Sequence, residues 1–140
     1  MKKLFSLFLL ISALISFSCS DDATSPNGGG LGGGGTGGGS VTFTVVVVQN
    51  QQTQELFFEF KPDKDVVINS MTANCAAAGV NNQNITGFDG TTVYNANNPA
   101  YVGPVTVTLT SGQQWSFPIA GKLGSSTGTA YNVTATCNIQ

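Results

Sequence analysis

The amino-acid sequence predicts an all-β protein: one antiparallel β-sandwich of seven to eight short strands, preceded by a signal peptide and a disordered glycine-rich tether. Three observations support this prediction. Apolar and polar residues alternate with a period of two over most of the last 100 or so residues, turn residues interrupt the alternation about every ten residues, and no segment shows convincing helical periodicity. The chain of 140 residues is long enough for one such domain.

The chain begins with the features of a signal peptide. Lys2 and Lys3 precede an almost unbroken apolar run of 14 residues at positions 4–17. This run is shorter than the roughly 20 residues that a membrane-spanning helix needs, and its length is typical of a signal-peptide core. We therefore assign residues 1–18 to a signal peptide.

Cys19 follows this core, and the next residues are Ser20, Asp21 and Asp22. This end of the chain resembles the signal of bacterial lipoproteins, although Ser16 stands where the family has leucine, and the Cys-Ser-Asp-Asp start resembles the lipoproteins of the Bacteroidota. The resemblance implies a lipid on the Cys19 thiol, which anchors the mature chain in the outer membrane, and export to the cell surface. Two or three acyl chains make such an anchor durable. The alternative is an ordinary signal peptide cleaved elsewhere, with Cys19 incidental.

Residues 19–40 comprise the lipidated end and a flexible linker. Ten of the 14 residues at positions 27–40 are glycine, which buries no apolar surface and has a high entropic cost of ordering. About 20 such residues span roughly 25 Å. The linker would therefore lift the following domain, residues 41–140, away from the lipid headgroups.

Alternation places the strands of that domain along the chain. The predicted strands are 41–48, 56–61, 66–75, 84–88, 91–94, 105–110, 114–119 and 131–139. In the third strand the apolar face shifts near Asn69 and Ser70, which indicates an irregularity. The first strand is apolar on both faces at 45–48, so it is either a covered central strand or an exposed edge open to strand addition or exchange.

Two cysteines remain in the domain once Cys19 is assigned to the lipid anchor. Cys75 and Cys137 each fall on the apolar face of a strand, and an exported chain meets an oxidising compartment. We expect a Cys75–Cys137 disulfide. Two buried free thiols are the alternative.

The run Gly-Thr-Ala-Tyr-Asn-Val-Thr-Ala at residues 128–135 leads into the last predicted strand. This run resembles the Gly-x-x-Tyr-x-Val-x-Ala strand of fibronectin type III and related immunoglobulin-like bacterial domains, and the cysteine separation resembles an immunoglobulin pin. The resemblance implies an immunoglobulin-like sandwich over residues 41–140. It transfers no functional residues, because one fold hosts many functions and Trp115 does not closely follow Cys75.

The residue types disfavour the common catalytic chemistries. The sequence has no histidine, no zinc-type cysteine spacing and no phosphate-binding glycine loop. Glu55 and Glu59 fall on the outer face of a strand, and Asp63 and Asp65 fall in a turn, which indicates solvated surface. We expect no enzyme activity, no cofactor and no metal. The chain lacks arginine and has a formal net charge of −2, which disfavours nucleic acid as a partner.

Aromatic and amide residues form the candidate ligand site. Phe88, Tyr94 and Tyr101 lie in or beside an asparagine-rich stretch that includes Asn95 and Asn97. Rings can stack on a pyranose while amides bond its hydroxyls; alternatively, these rings cap the core at a loop end.

The leading functional hypothesis is a non-catalytic, surface-exposed lipoprotein that presents a small β-sandwich for adhesion or protein interaction. A carbohydrate-binding accessory lipoprotein is the first alternative. A structural subunit that assembles by β-strand exchange is the second.

Overall fold

A computed structural model describes residues 40–140, so the signal peptide, Cys19 and most of the tether lie outside the described residues. Its eight strands are β1 (Phe43–Gln49), β2 (Leu56–Pro62), β3 (Val66–Cys75), β4 (Val80–Ile85), β5 (Val93–Tyr94), β6 (Ala100–Val102), β7 (Gln114–Leu123) and β8 (Ala130–Asn138). Between residues 40 and 140, the one helical element is a 3₁₀ turn, Ala76–Ala78. No helix in this part of the chain is long and apolar enough to cross a membrane.

The strands form two antiparallel sheets. The first has the order β1-β2-β6, and the second has the order β4-β3-β7-β8, with β5 paired to the start of β3. The first, second and sixth strands therefore share one sheet, whereas the third, seventh and eighth share the other. Immunoglobulin-like sandwiches have this arrangement, with strands A, B and E facing strands C, F and G. The predicted all-β sandwich is confirmed.

Aromatic rings join the two sheets. Phe58 and Phe60 of β2 meet Phe117 of β7 with ring centroids 5.0 and 4.9 Å apart. Phe58 also contacts Trp115 of β7 at 5.1 Å. Edge-on ring contacts of this kind stabilise a core beyond the apolar area that they bury. Alternate residues of β1 and β8 complete the core, as their period-two pattern predicts.

Strand β3 contains the irregularity that the shift of its apolar face predicts. Its pairing with β7 changes register between Ile68 and Ser70. Val67 and Ile68 are buried one after the other before the shift, and Met71 and Ala73 alternate into the core after it. An extra residue in one strand moves the side chains that follow to the opposite face, which explains this pattern.

Residues 105–110 alternate in sequence but form no strand. Their apolar side chains are half-buried against the core. The alternation therefore reflects burial on one side of the segment and not pairing with a neighbouring strand. Gln113 takes the place of a neighbouring strand: its side-chain oxygen accepts the backbone N–H of Thr110, and its amide nitrogen donates to the carbonyl of Thr108. The predicted strands 84–88 and 91–94 also differ from the observed ones, which are β4 and the two-residue β5.

The expected Cys75–Cys137 disulfide is wrong for this structure, because Cys75 is a free thiol. β3 and β8 flank β7 in one sheet; Cys137 pairs with Trp115, and Asn74 pairs with Ser116. Cys75 therefore lies in the same row across the sheet as Trp115, on the opposite side of β7 from Cys137. Strands two positions apart are separated by about 9.5 Å, whereas the Cα atoms of a disulfide usually lie about 4.4–6.8 Å apart. An immunoglobulin pin, by contrast, joins the two facing sheets.

We predict that Cys75 resists alkylation in the folded protein and reacts after unfolding, because the residue is only 2% exposed. Iodoacetamide labelling of the non-reduced protein, with and without denaturant, followed by peptide mass spectrometry, measures this difference. Cys75→Ala is the control that removes the label from its peptide. A cross-linked peptide containing Cys75 and Cys137 would contradict the structure.

Candidate functional site

The outer face of the three-stranded sheet carries an exposed aromatic ring. Tyr101 of β6 is 56% exposed, whereas the other large hydrophobic side chains of residues 40–140 are at least partly buried. Its partner across the sheet is Glu59 of β2, which pairs in turn with Val46 of β1. Phe57 lies opposite Val48 in the next row of this face.

The core determines which residues reach this face. Since successive side chains of a strand point to opposite sides, the inward rings of Phe58 and Phe60 direct Phe57, Glu59 and Lys61 outward. The same rule places Val45 and Val47 of β1 in the core and leaves alternate valines half-buried on the outer side. Strand β1, which is apolar on both faces, thus contributes one face to the core and the other face to this outer surface.

A hydrogen-bonded group occupies the centre of the face. The Tyr101 hydroxyl donates to Oε2 of Glu59 at 2.7 Å. The Lys61 Nζ lies 2.8 Å from Oε1 of the same carboxylate. Glu59 is only 8% exposed, so its predicted solvated position is wrong. Tyr101 and Lys61 engage both of its oxygens from neighbouring positions on the sheet.

The electrostatics of this group favour an ionised carboxylate beside a neutral phenol. Burial raises the pKa of Glu59, but the hydrogen bonds from Lys61 and Tyr101 and the charge of Lys61 together outweigh burial and bring that pKa below its usual value. The hydrogen bond to Glu59, helped by burial, raises the pKa of Tyr101. A carboxyl group that acts as a general acid needs a raised pKa, and the shift of Glu59 is in the opposite direction.

An open depression of about 430 Å³ borders Tyr101. It combines two rings, one valine and three polar side chains, namely Tyr101, Phe57, Val48, Gln49, Asn50 and Glu59. Small-ligand sites have volumes of about 300–1,000 Å³ and mix apolar walls with a few polar groups. The depression has the size and composition of such a site.

The turn between β1 and β2 positions the two amides of the depression. Oδ1 of Asn50 accepts the backbone N–H groups of Gln52 and Thr53 at 2.9 and 3.3 Å. The side-chain nitrogen of Gln49 donates to the carbonyl of Gln54 at 3.0 Å. The turn therefore uses one end of each amide, and the Asn50 nitrogen and the Gln49 oxygen remain to bond a ligand.

The structure places Phe88 and Tyr94 apart from Tyr101. Their rings pack edge to face with centroids 6.1 Å apart, and both are partly buried against the core. Tyr94 belongs to β5, which pairs with β3 in the five-stranded sheet, whereas Tyr101 belongs to the other sheet. This geometry agrees with the alternative that Phe88 and Tyr94 cap the core.

The structure gives Asn95 and Asn97 to a turn. Oδ1 of Asn95 accepts the backbone N–H groups of Asn97 and Asn98, each at 2.9 Å. Its side-chain nitrogen donates to Asp65 at 3.0 Å. Of the five predicted ligand residues, Tyr101 is therefore the one that lines the depression.

Sequence reasoning misses Phe57, Glu59 and the two amides as site residues. A signal for Phe57 is present, because the run Leu56-Phe57-Phe58 has one more apolar residue than strict alternation requires. The pairing of Glu59 with Tyr101 joins residues 42 positions apart and follows only from the register of β2 and β6.

Residues 40–140 contain no group of three or more histidine, cysteine, aspartate or glutamate side chains that could hold a metal ion. Comparison of the chain with protein-family models, curated proteins and solved structures finds no match.

We predict that Tyr101→Phe lowers the free energy of unfolding by about 1 kcal/mol at pH 7, because it removes a hydrogen bond to a carboxylate on a partly exposed face. A carboxylate whose pKa is lowered by folding stabilises the protein above its unfolded pKa, near 4.5 for Glu59, and loses that effect as the pH falls through its folded pKa. The cost of the substitution should therefore shrink below about pH 4.5. Urea titrations at pH 7 and about pH 3 measure it.

Glu59→Gln supplies the matched background for this test. In that background the cost of Tyr101→Phe should be the same at both pH values, because no carboxylate titrates at position 59. An equal cost at both pH values in the wild-type background would contradict the pairing of Tyr101 with an ionised Glu59.

Proposed function

We propose that this chain is a non-catalytic, surface-exposed lipoprotein whose β-sandwich serves in adhesion or protein interaction through the outer face of its three-stranded sheet. The observation that carries the proposal is the exposed ring of Tyr101, bound through its hydroxyl to Glu59 beside an open depression. Tyrosine is among the residues that most often anchor interfaces. A ring that is already fixed loses little conformational freedom when a partner binds.

The surroundings of the ring support contact with a partner. Val46, Val48 and Phe57 lie half-buried on the same face and add apolar area that a partner can cover. The charges of Glu59 and Lys61 are paired with each other at 2.8 Å. The core of a binding interface is typically enriched in aromatic residues, and this face offers Tyr101 and Phe57.

We further propose that Cys19 carries lipid and that residues 20–40 tether the sandwich to the outer membrane, on the side that faces the surroundings of the cell. Support comes from the 14-residue apolar core, the Cys-Ser-Asp-Asp start and the glycine tract that follows. A flexible tether lets a membrane-bound domain rotate and search for its partner.

Labelling of cells with radioactive palmitate tests the lipid anchor. The full-length chain should incorporate the label, and Cys19→Ser should abolish it, because the modified thiol is then absent. Cys75→Ala is the matched control and should keep the label, since Cys75 is buried inside the sandwich. Label that persists in Cys19→Ser would contradict the proposal.

Adhesion of cells that display the full-length protein tests the binding face. Tyr101→Ala should reduce adhesion, to immobilised extracellular proteins and glycans or between cells, by about tenfold, because it removes the anchoring ring. Thr134→Ala on the outer face of the other sheet is the control and should leave adhesion unchanged, with surface amounts matched by antibody staining. Adhesion no greater than that of cells without the protein, or equal adhesion by Tyr101→Ala and wild type, would contradict the proposal.

A further inference from the structure

We infer that the ligand of the depression beside Tyr101 is a neutral pyranose unit of a glycan, stacked on the tyrosine ring and bonded through its hydroxyls by Glu59 and Asn50. This inference rests on the proposed function and names the ligand class of the same face.

The ring of Tyr101 provides the apolar half of such a site. One face of a pyranose is lined by C–H groups, which pack well against the face of an aromatic ring. Tyr101 is 56% exposed, and its hydrogen bond to Glu59 at 2.7 Å restrains the ring over the sheet. Phe57 borders the same depression and extends the apolar surface.

The polar groups of the depression match the edge of a sugar ring. Each sugar hydroxyl can both donate and accept, so a site for it needs donors and acceptors together. Glu59 has about four acceptor positions on its two oxygens and uses two of them for Tyr101 and Lys61. The Asn50 nitrogen remains as a donor and the Gln49 oxygen as a further acceptor, because the turn uses the opposite end of each amide.

The same residues disfavour other classes of small ligand. A phosphate or carboxylate needs an available cation, but Lys61, the cation beside this site in the described part of the chain, is paired with Glu59 at 2.8 Å. A divalent metal ion needs more oxygen ligands than one carboxylate provides. A wholly apolar ligand would cover the remaining acceptor positions of Glu59 without bonding them. A neutral ligand rich in hydroxyl groups needs no cation and no further carboxylate, and its hydroxyls can bond Glu59.

The shape of the depression favours a segment of a glycan chain. Its volume of about 430 Å³ is near the lower end of the range for small-ligand sites, and it is open on the sheet surface. A site that is open on the sheet surface leaves both neighbours of the bound sugar unit outside. We therefore expect weak binding by one domain, strengthened when many tethered copies meet one glycan-coated surface.

Glycan binding by the full-length lipidated protein in detergent micelles tests the inference. The first step is an array of neutral and anionic glycans, and the second is an NMR titration with the neutral oligosaccharide that gives the strongest signal. We expect binding to neutral hexose or N-acetylhexosamine glycans and none to anionic ones. Tyr101→Ala should weaken binding by about tenfold or more, because the stacking contact is lost.

Two further variants separate the contributions of the Tyr101 hydroxyl and the Glu59 charge, and a third is a control. Tyr101→Phe keeps the ring and should weaken binding less than Tyr101→Ala, whereas Glu59→Gln should weaken it by removing the charged acceptor. Thr134→Ala lies on the outer face of the other sheet and should bind like the wild type. Fluorescence of the buried Trp115 checks that each variant is folded before binding is measured.

The outcomes separate the inference from the proposed function. If no neutral glycan binds, or if Tyr101→Ala binds as well as the wild type, the inference is overturned. If glycan binding is absent but Tyr101→Ala still lowers cell adhesion, the proposed function stands with a protein partner. Preference for anionic glycans would also overturn the inference, because it requires a cation that this face does not leave unpaired.

Discussion

The contact of Phe117 with Phe58 and Phe60 holds the two sheets together, and the outer surface depends on it. Once these two rings of β2 point into the core, the residues between and beside them must point outward. A shift of one residue in the pairing of β2 would expose both rings to water, so the core specifies the register strongly. The positions of Phe57 and Glu59 on the outer face follow from packing on the inner face.

Glu59 shows how a charged residue can occupy a nearly covered position on this surface. A carboxylate removed from water is destabilising unless its oxygens are bonded, and here Lys61 and Tyr101 bond both of them. The arrangement also acts on the tyrosine. Its ring is restrained by a hydrogen bond to the sheet, so much of the entropic cost of ordering it is met during folding.

Much of the fold follows from the sequence, because burial of one face leaves a period-two pattern in β1, β2, β7 and β8. The pattern fails at residues 105–110 because it reports burial and not backbone pairing, and there Gln113 bonds the backbone instead. The disulfide expectation fails for a related reason, since an apolar-face cysteine does not reveal its sheet. Tyr101 was within reach of sequence reasoning, but its partner Glu59 was not, because only the strand register brings two such distant residues together.

The position of the depression within β1 has a mechanical consequence. The residues of the proposed tether precede β1 in the chain, whereas Val48, Gln49 and Asn50 lie near or just beyond the far end of that strand. The row of Tyr101 lies level with Val46, about 10 Å into β1 at 3.3 Å per residue, and the rest of the depression lies farther along the strand. If the proposed tether is anchored at Cys19 and a ligand is bound to Tyr101, tension would run along β1 and across its ladder to β2. Hydrogen bonds perpendicular to the pull would share the load in shear, and a sheet loaded in this way resists force better than one opened bond by bond.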